Sequence, residues 1–150
     1  MDEPMRQYLN ILEQKLDALT KMLEATKRLE INGEGDEDQI MQQVEFFSSL
    51  YEQRADIFSK IEKLDESLAQ FEKFEENSEF NKLHETVLAK ISDVAKAMVA
   101  LDKEHIEMSK KLTAFLRGNL KKIRDGRDVN SAYSGGSENS TSGYYFNRTN

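Results

Sequence analysis

Two histidines, 28 acidic side chains and no cysteine make up most of what this 150-residue chain offers as chemistry. Without thiols there is no disulfide, no thiolate nucleophile and no cysteine-ligated metal site. His84 and His105 cannot build a three-histidine metal centre by themselves. The nearest approach to a polar constellation is Asp102 with His105, because a three-residue step brings two side chains together on a helix. Acid–base or nucleophilic catalysis also needs a nucleophile and a surrounding pocket, and neither is legible around that pair. Asp36, Glu37 and Asp38 concentrate negative charge, yet adjacent carboxylates in a linker read as a solvated helix cap rather than as an acid and base kept at different protonation. No glycine-rich phosphate loop follows a strand pattern, no HExxH pair occurs, and no calcium loop has its series of oxygen ligands. The expectation is a protein that is not an enzyme and carries no cofactor and no metal.

The elements that must hold these residues are helices. Charged residues make up 33% of the chain and the hydrophobic set 38%, with one proline and no tryptophan, which suits helices with one buried stripe better than a deep globular core or a sheet. A first helix is predicted over about 4–31, with Asp2 or Glu3 meeting free amides at its start and Pro4 in its first turn. Its stripe is Met5, Leu9, Leu12, Leu16, Leu19 and Leu23, at alternating steps of four and three, and Asn32, Gly33 and Gly35 supply the stop.

A second helix is predicted over 37–75, with Asp36 and Gln39 spaced as a capping box. Its stripe runs Ile40, Val44, Phe47, Leu50, Ile57, Ile61, Leu64, Leu68 and Phe71, with Tyr51, Phe58 and Phe74 widening the face. Arg54 interrupts that stripe, either as a residue that sets register or partner choice, or as a long side chain that bends to solvent. Asn77 and Ser78 read as a turn. A third helix follows over 79–124, with Phe80, Val87, Val94, Leu101, Met108 and Phe115 at intervals of seven and His84, Ile91, Met98, His105, Leu112 and Asn119 in the complementary phase. The histidines then sit at seam edges, where an imidazole covers apolar surface, and His105 has the further option of tuning an interface with pH.

The fold class predicted is therefore all-α: long antiparallel helices in a coiled-coil-like three-helix arrangement. One helical domain occupies 1–124, and a flexible, disordered tail occupies 125–150, where glycine, serine, asparagine and threonine dominate. The periodicity leaves open whether the third helix closes into one bundle or projects past a shorter hairpin. No leader pattern and no run approaching the roughly 20 apolar residues of a membrane span is present, so the expected location is the cytoplasm.

Charge is uneven along the chain. The net charge of −7 argues against indiscriminate nucleic-acid binding. Residues 1–40 carry ten acidic and five basic side chains, whereas residues 105–127 carry seven basic ones, Lys110, Lys111, Arg117, Lys121, Lys122, Arg124 and Arg127, and two acidic. The same segment holds Leu112, Phe115, Leu116, Leu120 and Ile123, which makes it a basic amphipathic helix. Its uses range from capture of a partner helix to adaptor-like contact with a membrane surface or nucleic acid, and capture of a partner helix uses that face best; the alternative for the chain as a whole is a structural coiled-coil protein whose three stripes serve self-assembly.

Residues 120–148 resemble the carboxyl-terminal part of the FlgN-type flagellar export chaperones, small helical proteins of type III secretion. In that family a long helix ends in a leucine- and lysine-rich stretch followed by glycine and a basic residue, then alanine and tyrosine, and after a spacer an aromatic residue before polar or basic ones. The matching elements are Leu120, Lys121, Ile123, Gly126, Arg127, Ala132 and Tyr133, then Phe146 and Arg148, within about 30 residues of the chain. Asn147 stands where the family often has aspartate. The resemblance implies a cytoplasmic chaperone without its own ATP hydrolysis. It would hold hook-associated or filament-related export substrates, keep them from assembling early, and deliver them to the export apparatus. On this reading Leu112, Phe115, Leu116, Leu120 and Ile123 form the substrate-binding face, with Val129, Ala132, Tyr133 and Phe146 ordering on the substrate or on the chaperone's own groove. Lys121, Lys122, Arg124 and Arg127 would steer acidic substrate segments. Expected partners are the flagellar substrate, components of the export apparatus and a further copy of the chain, with no nucleic acid and no stable membrane insertion.

Overall fold

A computed structural model describes the backbone of residues 1–134 and the side chains of residues 1–126. Among these residues there are three helices and no strand: α1 Glu3–Lys27, α2 Glu37–Leu68 and α3 Ser78–Ser134. Each start is capped as its sequence requires. Asp2 Oδ1 accepts from the Met5 amide at 3.0 Å, and Pro4 stands in the first turn, where its missing amide costs nothing. Asp36 and Gln39 form a reciprocal capping box, the Gln39 amide donating to Asp36 Oδ1 at 2.8 Å and the Asp36 amide to Gln39 Oε1 at 2.9 Å. Asn77 Oδ1 accepts from the Phe80 amide at 2.9 Å and opens α3.

The helix ends depart from the sequence expectation in three places. α1 stops at Lys27 rather than near residue 31, because its last turn tightens, with the Leu29 amide bonding the Thr26 carbonyl at 3.2 Å. α2 stops at Leu68 rather than near 75. No basic residue stands in its last turn, and Glu72, Glu75 and Glu76 follow, so the negative end of the helix dipole would meet like charge if the helix continued. α3 runs on past Arg124 to Ser134, so residues 125–134, expected in a flexible tail, are helical. The remainder of that tail, 135–150, lies outside the described residues.

The chain goes up, down and up. Met5 and Leu9 of α1 pack with Phe80 at the start of α3, while Met22 and Leu23 pack with Met98 of α3 and Ile61 of α2. α1 and α3 are thus parallel, with α2 antiparallel to both. The close backbone approaches are those of α1 to each of the other two helices. α2 and α3 are tied mainly through side chains, Arg54 to Asp102 and the cluster around Ile61 and Met98. The stripes read from the sequence face inward: Met5, Leu9, Leu12 and Leu23 on α1, Ile40, Leu50 and Ile61 on α2, and Phe80, Val87, Met98 and Leu112 on α3 are all buried. Met22 and Thr26 lie off the predicted stripe, yet they are completely buried. Thr26 satisfies its hydroxyl by donating to the Met22 carbonyl at 2.8 Å, which lets a polar side chain sit in the core.

The α1–α2 loop closes one end of the bundle. Gly33 and Gly35 take positive φ values of 72° and 124°, which glycine adopts without a side-chain penalty. Gln43 clamps the loop: its Oε1 accepts from the Asn32 and Gly33 amides at 3.1 and 3.0 Å, and its Nε2 donates to the Glu34 carbonyl at 2.9 Å. Gly33 lies against Lys111 of α3, which fixes the register at which the loop crosses that helix. The 25, 32 and 57 residues of the three helices correspond to about 37, 48 and 85 Å. α3 begins level with the start of α1 and meets the loop at Lys111, so roughly its last 22 residues, about 33 Å, extend past the bundle. The third helix both closes the bundle and projects from it.

Candidate functional site

The face read from the sequence as the binding surface straddles the point where α3 leaves the bundle. Leu112 is only 4% exposed and belongs to the packed bundle, which corrects its assignment to an open face. It occupies the last buried heptad position, directly after Lys111 and the loop crossing, so its methyl groups are already spent on intramolecular packing. Phe115, Leu116 and Leu120 are half-buried, and Ile123 is 48% exposed. Helical spacing groups Phe115, Leu116, Leu120 and Ile123 on one side of the projecting segment, and no residue from 113 to 126 is buried. Lys121, Lys122 and Arg124 are exposed along the same turns. Arg127, Val129, Ala132 and Tyr133 occupy the final turns of α3, with side chains outside the described residues, and Phe146 lies outside them altogether.

This segment is a helix with a replaceable solvent contact. Gly118 and Gly126 interrupt it, and a Cβ built on either meets nothing within 4 Å. Each glycine weakens the helix by about 1 kcal/mol relative to alanine. The segment therefore combines an apolar strip, a basic flank and lowered local stability, the properties of a surface that tightens when a partner covers it.

The polar constellation sits elsewhere, in the middle of the bundle. Arg54 is 8% exposed and spans from α2 to α3, where its Nη1 and Nη2 donate to Asp102 Oδ1 and Oδ2 at 2.6 and 3.0 Å. The guanidinium also lies 5.6 Å from the centre of the Tyr51 ring, within reach of a cation–π attraction. Arg54 is thus an inter-helix tie and does not bend to solvent. Its hydrogen bonds hold the Asp102 carboxyl below the ordinary carboxylate range against the opposing effect of burial, with the Arg54 charge and His105 adding in the same direction. The carboxylate in turn keeps Arg54 even more firmly protonated than usual. Both oxygens of Asp102 are engaged by the guanidinium, and a carboxylate with a lowered proton affinity is a poor general base. His105, three residues on and buried, lies beside this pair. The arrangement ties α2 to α3 at a fixed register.

At the opposite end of the bundle the sequence reading missed a cluster of aromatics. Where α2 stops early, Phe71 and Phe74 fold back over Tyr8 of α1 and over Phe80 and His84 of α3. Tyr8 meets Phe71, Phe74 and Phe80 at ring-centre distances of 5.5, 5.6 and 5.9 Å, and His84 stacks on Phe80 at 5.4 Å. The cluster lines an open groove of about 660 Å³, rimmed by Glu72, Glu75 and Glu76. The signal for it was present, since Phe71, Phe74 and Phe80 bracket an acidic stretch that a helix end disfavours, but Tyr8 lay off the leucine stripe and its role depends on the fold. His84 is accordingly part of an aromatic stack.

Among the described residues no group of three or more acidic, histidine or cysteine side chains is placed to hold a metal ion, and no helix is long and apolar enough to cross a membrane. No family model, curated protein or solved structure matches the chain.

Proposed function

We propose that the chain is an export chaperone of the FlgN type, acting in the cytoplasm. It holds a hook-associated or filament-related flagellar substrate, keeps it from assembling early and passes it to the type III export apparatus, with no reaction of its own to catalyse and no cofactor. The observation that carries this reading is the projecting end of α3. Of the residues that resemble the family signature, Leu120, Lys121, Ile123, Gly126, Arg127, Ala132 and Tyr133 fall on the segment that extends past the bundle, and Phe146 and Arg148 lie outside the described residues. A projecting amphipathic helix of about 33 Å is long enough to pair with a substrate helix over several turns. Phe115, Leu116, Leu120 and Ile123 supply the apolar contact, and the basic side chains around them speed encounter with acidic segments more than they add to final affinity.

The test is affinity purification of the chain, tagged at its N-terminus, from flagellated cells, with mass spectrometry of what stays bound. Recovery of one or two late flagellar structural proteins is the expected result. A Leu120→Asp, Ile123→Asp double variant of the full chain should then lose those proteins, by at least about tenfold in affinity, because charge in the centre of an apolar helix contact is left unpaired. Unchanged capture by that variant, or recovery of the chain alone from cells making the substrates, would refute the reading.

A further inference from the structure

A second apolar surface lies on the opposite side of Arg54 and Asp102 from the core. On α2, Tyr51 and Phe58 stand three residues before and four after Arg54, so both share its side of the helix. On α3, Val99 and Ile106 stand three before and four after Asp102. The core residues Leu50, Ile57 and Ile61, and Met98, Leu101 and His105, take the other flank of the same two positions. Tyr51, Phe58, Val99 and Ile106 therefore line a shallow seam between α2 and α3, with the ion pair as its floor. They are 46, 48, 54 and 48% exposed. Leu88 and Ala95 continue the α3 side of this seam at seven-residue steps from Asp102, and both are exposed. This is the pattern of a second helix-packing stripe with nothing laid over it among the described residues.

The rims of the seam carry opposite charge. Going further round α2 from Phe58 leads to Glu62, and further round α3 from Val99 and Ile106 leads to Lys96 and Lys103. All three are exposed, and none makes an ion pair among the described residues. A face with one acidic and one basic rim complements itself under a two-fold rotation about an axis parallel to the helices, which sets α2 of each copy against α3 of the other. Arg54 and Asp102 fix the relative height of the two helices, and from them Glu62 of one copy falls about 3 Å along the axis from Lys96 of the other. The crossed two-fold, with the axis perpendicular to the helices, would set acidic rim on acidic rim.

We infer that the α2–α3 seam is the dimer interface of this protein, Tyr51 and Phe58 of each copy packing against Ile106 and Val99 of the other in an antiparallel four-helix layer. The projecting ends of α3 are left free in this dimer, so its existence does not depend on the proposed export function. The isolated full chain tests it, by sedimentation velocity over a concentration series with circular dichroism as the control for folding. The wild type should dimerise, and Val99→Asp with Ile106→Asp should sediment as a monomer with undiminished helicity. Glu62→Lys should weaken dimerisation about tenfold, since the axis repeats the contact twice, and Lys96→Glu added to it should restore the wild-type affinity. A chain that stays monomeric overturns the inference. So does a dimer that survives the Val99 and Ile106 changes but is lost in the Leu120→Asp, Ile123→Asp variant, which would place the contact on the projecting helix instead. Failure of the charge exchange to restore affinity overturns the two-fold arrangement.

Discussion

Replacing Asp102 by alanine leaves the Arg54 guanidinium buried without the two oxygens that satisfy it, and its Nε already has no acceptor among the described residues. A loss of about 3 kcal/mol is expected, the lower end for a broken buried pair because Asp102 keeps a third of its side chain in water. Arg54→Met should cost less, since it removes the charge that needs a partner and keeps the packing. Urea midpoints of the two variants at neutral pH check the ordering. The pair also sets an acid limit. Asp102 titrates lower when folded than when unfolded, where a carboxyl has a pKa of about 3.9. Its contribution is therefore complete above that value and disappears as pH falls through the folded one. Stability measured from neutral into acid pH should fall more steeply in the wild type than in Asp102→Asn, which has no such proton to take up.

The projecting part of α3 is an element whose own propensity can be changed without touching the bundle. Gly118→Ala and Gly126→Ala place a methyl group in open space, so each should add about 0.5–1 kcal/mol to local helix stability. Amide hydrogen exchange should slow in the last turns of α3 and stay unchanged in α1. The α1–α2 loop gives the contrasting case. Gly33 has φ +72°, and a Cβ there comes to 2.7 Å from Lys111 Cβ, which is near the backbone and has little freedom to yield. Gly33→Ala should destabilise by about 1–2 kcal/mol through strain at a positive φ and displacement of the loop from α3, read as a fall in thermal midpoint.

At the scale of the whole molecule, the seams were the part legible in the residues. Met5 to Leu23 on α1, Ile40 to Leu68 on α2 and the two heptad phases of α3 all turn inward or lie half-buried; the cap at Asp36 sits where the sequence put it, Asp2 rather than Glu3 caps α1, and Asn77, read as a turn, caps α3. Periodicity and capping are local properties, set by the 3.6-residue turn and by the unsatisfied amides at helix starts, so a sequence states them without reference to other elements. The early end of α2 was not legible, because the apolar spacing of Phe71 and Phe74 fits a helix as well as it fits a fold back onto Tyr8 and Phe80. Which of the two wins is decided by partners some 60 residues away in sequence for Tyr8 and Phe71. The site shows the same division. Leu120 and Ile123 could be assigned to an open face from their spacing, but Leu112 lies on the same stripe and is buried because the bundle still reaches it, one residue past the register fixed by Gly33 and Lys111. Arg54 could be read two ways until α3 brought Asp102 across to it. The amino-acid sequence by itself determined that the chain is helical and which stripe of each helix is apolar. Only the tertiary structure decided where each stripe stops being core and becomes surface, because that boundary depends on the relative lengths and register of three helices, a non-local quantity that no single helix encodes.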